Sequence, residues 1–159
     1  MKHWSPPAPP RLPSLKRRIS AFHPVPVGTR RDGWTAARQG ALVRLIAETA
    51  SVIAACRRLG MGRESAYRLR ARAGAAGFAA AWDAALGRPH EPVDLASAKS
   101  TGLSAAYRFE HGLIRVVMHA GRYARCLRKP DDSALLQHLA RLDRALAADD
   151  AAGRKSQVL

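Results

Sequence analysis

The segment that most constrains the fold is Ser51–Arg70, SVIAACRRLGMGRESAYRLR. Ser51 can accept a bond from a free backbone N–H and open a helix. Gly60 can close that helix through a positive φ that other residues adopt only with strain. A second helix then runs from about Arg63 to Arg72, with Gly62 at its cap. Two short helices joined by so tight a turn cross closely, so the residue at the crossing must be small. Cys56 fills that position. Ala66 and Leu69 face inward as anchors, which turns Arg63, Glu64, Tyr67 and Arg68 outward.

The charge bears on what such a pair would meet. The 159 residues carry a net charge of +15, and the surplus is uneven. Residues 1–72 hold 15 Lys and Arg against Asp32, Glu48 and Glu64, whereas residues 73–159 hold 12 against nine acids. A balance this basic implies a polyanionic partner, with its footprint in the N-terminal half. The two cysteines, Cys56 and Cys126, form no CxxC pair, so neither a disulfide framework nor a zinc knuckle follows. No apolar run approaches the ~18 residues of a membrane span, and the N-terminus lacks the apolar region of a signal peptide. A reducing, cytoplasmic and nucleoid-associated setting is expected.

The expected fold is mainly α: an N-terminal helix-turn-helix domain, then a short β-hairpin and a C-terminal helix. Residues 1–32 hold seven of the ten prolines among scattered basic residues, which reads as a disordered basic arm. Such an arm either lies along phosphates or is a bystander. The helical domain spans 33–87. Thr35 caps a first helix whose stripe is Leu42, Leu45, Ile46 and Thr49, and Phe78, Trp82 and Leu86 mark a fourth helix with an aromatic core face. Residues 88–104 read as a linker. From Ala105, the strand formers Tyr107, Phe109, Ile114, Val116, Val117, Met118 and Tyr123 predict a short hairpin, with His111-Gly112 and Ala120-Gly121 as turn signals and a third strand around 122–127. Its Arg108, Arg115, Arg122, Arg125, Arg128 and Lys129 form either a second phosphate-contacting surface or a solvated strand face. Pro130-Asp131-Asp132 opens the last helix. Its Leu135, Leu139, Leu142 and Leu146 form one stripe, to be covered by the hairpin or by a second copy of the chain. Residues 149–159 are expected to be a disordered tail.

The run Ala54–Arg70 resembles the helix-turn-helix of bacterial and phage DNA-binding proteins. More broadly, residues 33–146 look like uncharacterised alphaproteobacterial helix-turn-helix proteins of the homeodomain-like type. These share a Trp-Thr opening, a Ser-Ala-Tyr-Arg-Leu helix, a Phe-xxx-Trp helix, an Arg-rich hairpin and a Leu-rich last helix. A weaker likeness is to phage terminase small subunits. The resemblance implies that the helix at about 63–72 enters the major groove of double-stranded DNA. The expected contacts are Arg63, Glu64, Ser65, Tyr67, Arg68, Arg70 and Arg72, with Arg57, Arg58, Arg30 and Arg31 beside them. Ala66 departs from the branched residue usual at its position, and Gly62 from the usual Ser or Thr cap.

No catalytic constellation is legible. The six histidines form no i, i+4 pair and read as scattered surface residues; His111, His119 and Cys126 make a weak metal set at best. Asp131-Asp132 suits a helix cap, and no Gly-rich phosphate loop is present. The chain is therefore read as a non-enzymatic, sequence-specific DNA-binding protein, a transcriptional regulator, without cofactor, metal or small-molecule ligand. A homodimer through the last helix is expected. A phage-type packaging or recombination adaptor, and a protein- or RNA-interaction module, remain the alternatives.

Overall fold

The local signals act where the sequence places them. In the computed structural model, which describes residues 18–156, Thr35 Oγ1 accepts from the Arg38 N–H at 3.3 Å and opens α1 (Ala36–Thr49). Ser51 Oγ accepts from the Ala54 N–H at 3.2 Å and opens α2 (Val52–Leu59), which Gly60 closes at φ +71°. After Met61 and Gly62 come α3 (Arg63–Arg70) and then α4 (Ala76–Leu86), whose Phe78 and Trp82 are fully buried. A short α5 (Ala98–Thr101) lies within the stretch read as linker.

Residues 105–111 depart from the expectation of strand and form α6 (Ala105–His111). The aromatic residues favour strand only weakly, and two strong local signals outweigh them. Ser104 Oγ accepts from the Tyr107 N–H at 3.2 Å, and Gly112 ends the helix at φ +65°, ψ −161°. A Cβ on Gly112 would stand 2.5 Å from the Lys129 carbonyl oxygen, so only glycine lets the chain turn straight into the sheet. Arg108, expected on the hairpin, is instead buried on α6.

The sheet has two antiparallel strands, β1 (Leu113–His119) and β2 (Arg122–Lys129); β2 is the strand expected around 122–127, and the strand expected before His111-Gly112 is replaced by α6. Ala120 and Gly121, both at positive φ, make the two-residue turn. The register pairs Ile114 with Arg128, Val116 with Cys126 and Met118 with Tyr123 on the inner face, where Ile114, Val116, Met118 and Tyr123 pack on the core. Leu113–Lys129, Arg115–Leu127, Val117–Arg125 and His119–Arg122 therefore share the outer face.

The largest correction concerns the N-terminal arm. Residues 1–17 lie outside the described residues, but residues 18–27 form an extended strap through the core. Ile19, Phe22, His23 and Val25 are buried. Phe22 exchanges two backbone bonds with Ile114, at 3.0 and 2.8 Å, as a one-residue extension of the sheet. Val25 does the same with a side chain: buried Gln39 accepts from its N–H at 2.7 Å and donates to its C=O at 3.1 Å. Pro24 and Pro26 suit this path, since proline holds an extended φ and leaves no N–H to satisfy. The Tyr107 hydroxyl donates to the Pro24 carbonyl at 2.8 Å.

His23 is no surface histidine. Its Nε2 lies 2.6 Å from Asp131 Oδ2, while Asp131 Oδ1 accepts from the Ala134 N–H and caps α7 (Asp132–Ser156). Arg108 completes the cluster, 4.0 Å from Asp131 Oδ2, donating to the Leu95 carbonyl and to Gln137 Oε1. The strap, α6 and α7 are thus joined by one buried polar knot. α7 runs on to Ser156, so residues 149–156, expected to be a disordered tail, are helical. Of the leucine stripe, Leu135 is half-buried and Leu139, Leu142 and Leu146 are exposed, so the hairpin does not cover these three. Among the described residues, no helix is long and apolar enough to cross a membrane.

Candidate nucleic-acid interface

The site is built on α2 and α3. Cys56 and Ala66 are buried with Leu69 in the core beneath them, so the small crossing residue and the two anchors sit where the sequence placed them. Burial pushes the Cys56 thiol pKa up, against the weaker opposing pull of the Arg63 guanidinium. That keeps Cys56 a neutral packing residue and not a reactive thiolate.

With that side fixed, Arg63, Glu64, Tyr67 and Arg68 emerge on the opposite side of α3, all exposed. Arg68 and Glu64 stand 3.7 Å apart as an i, i+4 pair, both more than four-fifths exposed. A pair this open is worth little and leaves Arg68 free to move to another acceptor. Arg57 and Arg58 at the end of α2, and Arg72 just past α3, are exposed on either flank. Arg30 and Arg31 are exposed too, in the turn before α1, where their carbonyls accept from Gly33 and Arg38.

Three of the expected contact residues have structural partners. Arg70 turns back toward α4, donating to Asp83 Oδ2 at 2.9 Å and the Ala79 carbonyl at 3.1 Å, with its guanidinium 5.5 Å from the Trp82 ring centroid. It ties α3 to α4. Ser65 Oγ accepts from the Trp34 indole N–H at 2.7 Å, which pins the start of the helical domain to α3. Tyr67 is 46 % exposed, yet its ring packs on Trp82 at 5.3 Å. Trp82 meets Phe78, and Phe78 meets Phe22 at 5.6 Å, so a row of four aromatic rings connects the exposed face of α3 to the strap.

Sequence reasoning missed this row because Phe22 stood in what read as an arm. It also missed an open cleft of about 330 Å³ between α1 and the inner hairpin face, lined by Gly40, Arg44, Ile114, Tyr123, Cys126 and Arg128. Arg44 covers the Tyr123 ring there, 4.7 Å from its centroid. No protein-family model, curated protein or solved structure matches the chain.

Proposed function

We propose that this chain is a sequence-specific DNA-binding protein, a transcriptional regulator and not an enzyme, which reads the major groove of double-stranded DNA with α3. The observation that carries the reading is the two-sidedness of α3. Ala66 and Leu69 hold one side in the core, and Arg63, Glu64, Tyr67 and Arg68 stand exposed on the other, flanked by Arg57, Arg58 and Arg72. Arginine presents a planar fork that matches guanine edges and phosphates. A short helix held in this way by a tight turn is the geometry in which such side chains reach base edges. Arg30 and Arg31 would add backbone contacts.

The exposed leucines of α7 support a homodimer through that helix, since two such units read half-sites ~34 Å apart and gain specificity that one cannot. The same face supports a second reading, a phage-type packaging or recombination adaptor in which α7 serves assembly. In vitro selection from a random duplex pool tests the first reading. A regulator enriches one motif, and failure to enrich any would overturn sequence-specific binding.

A further inference from the structure

The hairpin contains no acidic residue between Leu113 and Lys129, yet it carries Arg115, Arg122, Arg125, Arg128 and Lys129. The register sorts these by face. Arg128 belongs to the inner face, and its guanidinium donates to the His111 carbonyl. Arg115, Arg122, Arg125 and Lys129 all belong to the outer face. Among the described residues, none of these four has an ion-pair or side-chain hydrogen-bond partner, in contrast to Arg70 and Arg108. Leu113, Val117 and Leu127 lie between them, only half-buried. At the strap edge Arg18 joins the group across a shallow cleft of about 340 Å³, lined also by Ile19, Leu113, Arg115 and Lys129. A hairpin face with four unpaired cations and no acid repels a cationic partner and is complementary to a polyphosphate backbone.

The direction of this face matters as much as its charge. α1 stands between the hairpin and the α2–α3 pair: Gly40 and Arg44 meet the inner hairpin face, while Leu42 and Ile46, about half a turn away, point into the core shared with α2 and α4. The outer hairpin face is turned away from α1 and hence from α3. A straight duplex seated on α3 would therefore lie on the far side of α1 from it.

We infer that the outer face of the hairpin is a second, sequence-independent contact surface for the phosphate backbone of duplex DNA, and that one chain holds two separate duplex segments, one at α3 and one here. The second half of this inference rests on α3 being the groove-reading helix; the first half does not.

The test uses the full chain and a variant with Arg115→Ser, Arg122→Ser, Arg125→Ser and Lys129→Ser. None of these side chains is buried in the core, so the circular-dichroism spectrum is expected to be unchanged. A companion with Arg115→Lys, Arg122→Lys and Arg125→Lys keeps the charge and controls for folding. Binding to a random-sequence duplex is measured against salt. The expected result is a log–log slope shallower by ~0.9 for each phosphate contact removed, with the lysine companion near wild type. Next, a bead-bound duplex is asked to capture a second, fluorescent duplex. Wild type should capture it, the serine variant should not, and Leu139→Asp, which disrupts pairing through α7, should capture as wild type does. An unchanged salt slope in the serine variant would overturn the hairpin surface. Capture that survives in the serine variant but is lost in Leu139→Asp would assign bridging to a dimer and overturn the two-segment inference. If Arg63→Ala with Arg68→Ala leaves the selected motif intact, the groove reading of α3 fails on its own, and the hairpin is still judged by its salt slope.

Discussion

Trp34 donates its indole N–H to Ser65 Oγ across 2.7 Å, so the residue just before α1 holds the middle of α3 in place. Ser65 thereby acts as a positioning residue for α3. Ser65→Ala would leave the indole N–H without its partner in a part-buried setting, at a cost of about 1–3 kcal/mol. The expected outcome is a lower urea midpoint with the selected DNA motif unchanged. A changed motif with unchanged stability would contradict this role.

Arg63 and Arg68 should behave in the opposite way. Each is exposed and without a buried partner, so Arg63→Ala or Arg68→Ala should leave the unfolding transition where it is. Specific binding should weaken by about 1–3 kcal/mol, with relaxed preference at one base pair. Arg70→Ala, which breaks the tie to Asp83, should instead lower stability and weaken all sequences alike. Electrophoretic mobility shifts on matched and mismatched duplexes separate the two patterns.

The strap predicts a sharp boundary for truncation. Removing residues 1–17 takes away Lys2, Arg11, Lys16 and Arg17 and no described contact. Removing residues 1–25 also takes away the buried side chains of Ile19, Phe22 and Val25. Phe22→Ala alone should cost about 3–5 kcal/mol, the range for an aromatic side chain deleted from a packed core. A Phe22→Ala protein with wild-type thermal stability would show that the strap is not part of the core.

The polar knot predicts a pH dependence. Burial lowers the pKa of His23 below its ordinary 6.5, an effect that the Asp131 carboxylate partly offsets. Neutral His23 donates through Nε2 to Asp131, and its Nδ1 has no hydrogen-bond partner among the described residues, so a proton there would be a buried donor without an acceptor. Between the lowered folded value and 6.5, the unfolded chain binds more protons than the folded one, and stability rises with pH. The His23 contribution is thus complete at pH 7 and falls as pH drops below 6.5. His23→Gln should show a shallower loss of stability from pH 7 to pH 5 than wild type; equal slopes would exclude His23 as the titrating group.

Leu139 is 48 % exposed in the single chain, so Leu139→Asp should not unfold it. If α7 pairs with a second copy, light scattering should give a dimer mass for wild type at tens of micromolar and a monomer mass for the variant. A monomer mass for wild type would remove the dimer.

The parts of the fold that were legible in the sequence are those set by neighbours in the chain. Thr35, Ser51 and Gly60 act within four residues of themselves, and the helices they bound lie where the sequence puts them, as do the anchors Ala66 and Leu69. Tyr107 and Phe109 misled because side-chain preference for strand is weak beside the cap supplied by Ser104 and the turn permitted by Gly112. Arg70 read as an outward arginine because its partner Asp83 sits 13 residues on, beyond the reach of a helical pattern. The strap was illegible for the same reason at larger scale: proline-rich and basic, it has no periodicity of its own, and only Ile114, Phe78 and Asp131 give Phe22 and His23 somewhere to go.

His23 and Asp131 are separated by 108 positions in the chain. During synthesis the strap leaves the ribosome well before its partners, the Ile114 backbone and the Asp131 carboxylate. Until then Phe22 can meet Phe78 and Val25 can meet Gln39, but Phe22 lacks its backbone partner and His23 its carboxylate. Closing so long a loop is slow relative to forming the local helices. The strap is therefore held on one side only until Ile114 and Asp131 have been made.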